Sequence, residues 1–478
     1  LYDSSVVAAG RRRAIVVGAG PAGLAAARGL CGRGFAVTLI EAAARAGGGL
    51  GTWRDLPGGA VAEAGPDRIE ADEDETLFAA RSLGLRLVPA PGDRFFCRKG
   101  RLSKTLDGLG LSSDVQALLA PGGEVEAALR THYERLRTPL WRTGDERTWA
   151  LDGMTFVEFL STKRLHFVDL VEALDLVHLP RRGIPLREAN ALAAIEDVYE
   201  ALYRPPAAPP ARIEGGMDAL VRGFLAEIEA RGGRLLYEAP VVAVRERDRP
   251  QRAVEVAWAG ARPGAAEAEV AVLAVPPRAL AGIVFDPPLD SEKVALIARA
   301  GAGSAVRVAL VFDARFWQPL GLHGWAEVLG EGFLGRIAAD AGEGGGPAAL
   351  TVTAYGDEAE RLLARPPEAR AAAVLDALEA LYPRARAHLV AGGERSVEQV
   401  GCAFPALRPG DVRGVADPSG RPQGRLFFAG AYVDGGRGLD AALGSGRRAA
   451  REAAIAVAGP LDREFAAGRR GADSEIRS

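Results

Sequence analysis

The chain has 478 residues, 48% of them hydrophobic and 25% charged. This excludes a disordered or fibrous protein and leaves room for roughly three domains. A net charge of −3 leaves no basic footprint for nucleic acid. Three scattered cysteines, Cys31, Cys97 and Cys402, build neither a disulfide framework nor a metal site, and fit a reducing cytoplasm. No apolar run approaches the roughly 18 residues of a membrane span. Glycine is in excess, 60 residues or about 13% against a usual share of about 7%, without a collagen period.

Leu1 is not Met, which leaves room for a natural N-terminus upstream. Arg11-Arg12-Arg13 before Ala14–Val17 imitates a secretory signal, but Gly18, Gly20, Pro21 and Gly23 break the apolar stretch at once. A buried strand over 14–17, a helix over 21–33 and a second buried strand over 36–40 explain these residues better. Gly47 to Gly51 is a second glycine cluster, and a helix is expected over 75–84. From about 100 to 205 the pattern is mostly helical. Pro205, Pro206, Pro209 and Pro210 then mark a linker. An amphipathic helix follows over 217–231, with strands over 234–244, 253–258 and 268–275. Further strands are predicted over 304–313 and 349–354, a helix over 369–382, a last buried strand over 426–430 and a last helix over 440–457. No internal repeat is evident. The reading is mixed α/β, a nucleotide domain interrupted by a second domain.

Gly18-Ala19-Gly20-Pro21-Ala22-Gly23 fits G-x-G-x-x-G between a predicted strand and a predicted helix. Gly18 permits the tight turn, Gly20 lets backbone approach a pyrophosphate, and Gly23 lets the helix pack on the strand. The helix N-terminus, with Ala22 in its first turn, offers N–H groups to phosphate. Glu41, ending the second strand, would accept from ribose hydroxyls and repel a 2′-phosphate.

The segment Arg45-Ala46-Gly47-Gly48-Gly49-Leu50-Gly51-Thr52 resembles the R-x-G-G-R-x-x-T stretch of the flavin amine oxidase and protoporphyrinogen oxidase superfamily. Glu63-Ala64-Gly65-Pro66 resembles its acidic turn under the flavin. Gly215-Gly216-Met217 followed by Pro240–Val244 resembles its middle FAD segment. Phe427-Phe428-Ala429-Gly430 with Gly438–Gly446 resembles its closing motif. The resemblance spans most of the chain in the family's order. It implies a Rossmann-like, discontinuous FAD-binding domain (1–95, 211–290, 406–478) and a substrate domain of mixed sheet and helices (96–210, 291–405), with 96–210 as a helical cap.

The resemblance also implies cofactor contacts from Gly18, Gly20, Ala22, Gly23, Glu41, Arg45, Gly48, Gly49, Gly65, Pro66, Gly430, Ala431, Leu439 and Asp440. Val242 would pair its backbone with adenine. The helix starting near Leu439 would turn its N–H groups to the flavin N1–C2=O edge, where reduction places negative charge. Three positions depart from the family. Gly49 replaces an Arg, Ala431 replaces a Glu, and Arg307 replaces the Lys that relatives place near flavin N5. Arg307 is a permanent, planar cation suited to a substrate carbonyl or carboxylate, or to a structural ion pair. Glu63 is the expected acid or base, with a structural carboxylate as the alternative. Tyr432 and Cys402 are expected at the substrate, and the five histidines as surface or core residues.

The expected enzyme is an FAD-dependent oxidase. It would move a hydride from a C–H next to nitrogen, in an amine, amino-acid-derived amine or amide, including natural-product intermediates, to the flavin. O2 is the expected acceptor, FAD non-covalent, the protein cytoplasmic and a homodimer possible, with no metal. The Gly65-Pro66 turn suits an alternative, a desaturase or protoporphyrinogen-oxidase-like dehydrogenase. A non-catalytic binder of the same fold is the remote one.

Overall fold

The computed structural model describes residues 11–90, 95–136, 146–204, 208–247, 253–299, 302–320, 325–329, 335–339, 346–412, 420–433, 436 and 438–458. They form a mixed α/β protein divided into two compact units. The first unit comprises Leu1–Gly48, Leu220–Ala298 and Asp417–Ser478; the second comprises Gly49–Ala219 and Arg299–Ala416.

The first unit is built on an all-parallel sheet. Its strands run in the order Leu426–Phe428, Val270–Leu273, Arg13–Val17, Ala36–Ile40, Arg234–Leu236. Parallel strands are covered on both faces, and these are apolar almost throughout. The helix Pro21–Cys31 follows the first strand, and the long helix Gly438–Val457 packs on it. The packing is close. A Cβ on Gly446 would lie 2.1 Å from the Ala22 carbonyl oxygen, and one on Gly29 2.9 Å from the Ala450 Cβ. A second sheet holds Gly264–Ala268, Ala253–Trp258, Val241–Arg247 and Val284–Asp286. The strand expected over 234–244 is thus two strands in two sheets. Glu238 between them adopts a left-handed φ of 53°, and Pro240 has no N–H for a ladder.

The second unit holds a seven-stranded sheet in the order Leu389–Pro405, Ala302–Phe312, Ala348–Tyr355, Arg336–Ala339, Trp325–Leu329, Phe95–Arg98, Arg101–Ser103. Side chains alternate across it. Val306, Val308, Leu310 and Phe312 join Val352, Ile337 and Val328 on one face, under the helices Gly356–Leu363 and Pro367–Leu381. The opposite face carries Arg307, Thr353, Arg336 and Glu327 in cross-strand register. On that polar face Arg307, Thr353 and Glu327 are buried and Arg336 is half-buried.

The described residues between 113 and 203 supply six helices around one apolar core that includes Phe156, Phe159, Leu174 and Ile195. Buried Asn190 ties them together. Its side-chain N–H donates to the Asp152 carbonyl and carboxylate and to the Arg408 carbonyl, while its Oδ1 caps the helix Ala191–Tyr203.

Candidate active site

In the first unit the glycine motif forms as expected, and its three glycines differ in kind. A Cβ on Gly18 would fall 2.5 Å from the Ala274 oxygen, and one on Gly23 1.7 Å from the Gly18 oxygen. Those two glycines serve the protein's own packing. A Cβ on Gly20 would meet nothing within 4 Å, so space is kept open there. Gly48 closes from the other side, where a Cβ would come 3.2 Å from the Gly20 Cα. Gly20 is also the N-cap of the helix Pro21–Cys31 and caps it with no side chain. An open cradle beside a bare helix N-terminus fits a pyrophosphate.

The loops around this cradle are braced from within. Glu41 accepts from the Ala19 N–H at 2.7 Å and the Ala43 N–H at 2.8 Å. Its carboxylate holds the glycine turn and keeps lone pairs for ribose hydroxyls. Arg45 donates to the Gly48 carbonyl at 2.8 Å, and Gly47 donates to the Ala19 carbonyl. Val242 falls at a break in the ladder between Val241 and Ala243, its side chain 43% exposed, and its backbone has no register partner there. At the closing motif, Gly430 N–H donates to Ser445 Oγ at 2.9 Å. Ala431 begins a short turn, and Leu439 and Asp440 lie in the first turn of the helix Gly438–Val457. Tyr432 packs its ring beside Gly430 and against the unit's core, with no hydrogen-bond partner for its hydroxyl among the described residues. Burial pushes its phenol well above the ordinary range.

In the second unit the hairpin Thr52–Trp53 and Ala62–Glu63 carries the acidic turn. Gly65 is obligatory, since a Cβ there would lie 1.9 Å from the Gly49 oxygen. Pro66 follows, half-buried. Glu63 Oε2 accepts from the Thr52 hydroxyl at 2.8 Å, and Oε1 from the Met217 N–H at 3.0 Å. Arg54 grips the same turn through Asp218, at 2.6 and 2.8 Å, and through the Gly215 carbonyl. Burial pushes the Glu63 carboxyl up to about 7, against the two hydrogen bonds; Asp67 and Asp218 push it the same way. Glu63 therefore keeps its proton on about half the molecules at neutral pH.

Arg307, 7% exposed, donates to the Glu63 carbonyl at 3.2 Å. Beside it lies a buried cluster of charges. Asp67 pairs with Arg68 at 2.9 Å and faces Arg336 at 3.8 Å; Arg336 pairs with Glu327 at 2.8 Å. Burial favours a neutral Asp67, but Arg68, Arg307 and Arg336 together hold it well below the usual carboxylate range. Arg68 stacks 3.5 Å over the Trp325 ring. Its Nε and Nη1 are buried and have no hydrogen-bond partner among the described residues. Among those residues no group of His, Cys, Asp and Glu is arranged to hold a metal ion, and no helix is long and apolar enough to cross a membrane.

The sequence matches the profile of the flavin containing amine oxidoreductase family over residues 21–454. The chain belongs to this family. It is an FAD-dependent oxidoreductase of amines, and the cradle around Gly20 and Gly48 fits its cofactor. A putrescine oxidase of Kocuria rosea is 28% identical over 412 residues, covering 78% of this chain and 80% of that protein. A flavin-dependent L-tryptophan oxidase of Lentzea aerocolonigenes is 25% identical, covering 89% and 96%. Among solved structures, a cyclohexylamine oxidase from Brevibacterium oxydans superposes with a TM-score of 0.75 at 21% identity, covering 95% of this chain and all of that one.

For this amine oxidoreductase, sequence reasoning reached Glu63 and Arg307, and the structure brings them into contact through the Glu63 backbone. Cys402 falls in the strand Leu389–Pro405, but its side chain lies outside the described residues, as does Gly435 of the closing glycine run. Sequence reasoning missed Asp67, Arg68, Trp325, Glu327 and Arg336. No local signal marked their burial: Asp67-Arg68, directly after the Gly65-Pro66 turn, reads as an exposed ion pair.

Proposed function

We propose that this amine oxidoreductase oxidises the C–H bond next to nitrogen in an amine that also bears a carboxylate or carbonyl, an α-amino acid or an amide derived from one. The observation that carries this reading is Arg68, a buried cation with two N–H positions left over. Burying such a group without a partner costs about 1–3 kcal/mol or more, a cost that a ligand's oxygen would remove. An unadorned diamine would instead bring positive charge toward a cluster that already carries a surplus cation. The viper (Vipera ammodytes ammodytes) relative named L-amino-acid oxidase, 25% identical over 92% of this chain, agrees with this choice.

When bound, FAD accepts the hydride, and O2 is the proposed acceptor from the reduced flavin. The chain's own residues orient the substrate. Arg68, flat on Trp325, presents donors to the carboxyl group. Arg307 keeps a fixed positive charge beside the acidic turn, where a lysine could lose its proton. The polar face of the seven-stranded sheet excludes water, which strengthens both interactions.

The test is anaerobic flavin bleaching with amino acids, their amides and the parent amines. Amino acids should bleach the flavin fastest. Arg68→Met should raise KM for amino acids about 10- to 100-fold, the worth of one or two charge-assisted hydrogen bonds. Faster reduction by putrescine or by simple alkylamines than by any amino acid would sink the reading.

A further inference from the structure

Among the described residues, the charged groups at Glu63 and in the cluster around its neighbour Asp67 do not balance. From the hairpin come Arg54, Asp67 and Arg68, and from the turn after Gly216 comes Asp218. The sheet contributes Arg307, Glu327 and Arg336, with neutral Tyr355 beside them. Four guanidinium groups face three carboxylates, leaving one positive charge over when Glu63 is neutral and none when it is ionised. An arginine does not give up its proton in a protein. Among the described residues of the cluster, the counter-charge left for this surplus is the Glu63 carboxylate; the alternative is an anion supplied by a ligand. Glu63 is built to occupy either form. Its Oε1 accepts from the Met217 N–H in both. Its Oε2 accepts from the Thr52 hydroxyl when ionised and can donate to the Thr52 oxygen when protonated.

We propose that an anionic substrate group enters this cluster together with one proton, which Glu63 holds, so that ligand and Glu63 carboxylate exclude one another as counter-ions. The inference rests on the reading that the substrate carries a carboxylate. The acid is then no longer a base for the substrate: it is a positioning residue that makes room for the substrate's charge. Burial and its two acidic neighbours already hold Glu63 near half protonation at neutral pH, so the exchange is inexpensive there.

The test uses the FAD-loaded enzyme and benzoate, which stays ionised throughout, with benzamide as its neutral counterpart. Calorimetric titration near pH 8 in two buffers of different ionisation enthalpy counts protons. Close to one proton should be taken up per benzoate. The benzoate Kd should rise up to about tenfold per pH unit above pH 7. Glu63→Gln keeps both hydrogen bonds and cannot ionise; it should bind benzoate with no proton uptake and a flat pH profile. Benzoate binding to the natural enzyme without proton uptake, at a Kd that ignores pH, would overturn the proposal and leave the carboxylate reading standing. Binding of benzamide but never of benzoate would overturn both. The proton count on the natural enzyme decides the matter even if the variant fails to fold.

Discussion

At the scale of single residues, the three glycines of one motif have separate reasons to be glycine. Gly18 and Gly23 are closed in by backbone, whereas Gly20 faces open space. Gly20→Val should therefore fold and lose its cofactor. The purified variant should be colourless, with the ratio of flavin to protein absorbance near zero and far-ultraviolet circular dichroism unchanged. Full flavin retention would refute the cradle. Glu63 gives a prediction of opposite flavour, about stability. Its folded pKa of about 7 lies above the ordinary value of 4.5. A raised carboxyl contributes stability below the unfolded value and loses it as pH rises toward the folded one. The natural enzyme should lose on the order of 3 kcal/mol between about pH 4.5 and 7 relative to Glu63→Gln. Urea unfolding of both proteins at either end of that window measures the difference. A constant difference would mean that the carboxyl is not buried as described.

Among elements, the helices Pro21–Cys31 and Gly438–Val457 touch through small residues, and Gly446 has no room for a side chain. Gly446→Val should cost about 3 kcal/mol through overpacking. Because both helices begin at proposed cofactor contacts, it should also raise the FAD dissociation constant. Differential scanning fluorimetry with and without added FAD separates the two effects. Elements of this kind were legible beforehand. The strand expected over 253–258 and the alternation of Val306, Val308 and Leu310 against Arg307 follow directly from pattern. The strands Trp325–Leu329 and Arg336–Ala339 were not legible: they are four or five residues long and carry charges at core positions. Arg68 was illegible for a related reason. Beside Asp67 it reads as a surface ion pair, and its burial comes from Trp325, which is distant in sequence. Local pattern reports what a segment prefers, and not what a remote segment will place upon it.

On the scale of the whole molecule, a bound cofactor stabilises the fold by mass action, by about 2.7 kcal/mol at a hundredfold excess over Kd. Deflavinated enzyme should unfold at a lower temperature and recover on titration with FAD, the midpoint rising with the logarithm of concentration. An unfolding midpoint insensitive to FAD would indicate that the cradle does not couple to global stability. The motifs that named the cofactor were visible because each is local and built on glycine. The charge cluster proposed to meet substrate joins segments around residues 63–68, 215–218, 307, 325–327 and 336, and only folding assembles it.

The seven-stranded sheet sorts its residues by parity. Along Ala302–Phe312, even positions from Val306 onward lie in the helix-covered core, and the odd position 307 carries the charge. On the proposed reading, substrate preference and core packing are written on different letters of one strand. Exchanges at Arg307 or Thr353 would then leave the packing of Val308, Val352 and Ile337 in place. A laboratory library confined to the face that carries Arg307 and Thr353 would leave the helix-covered face of the sheet untouched.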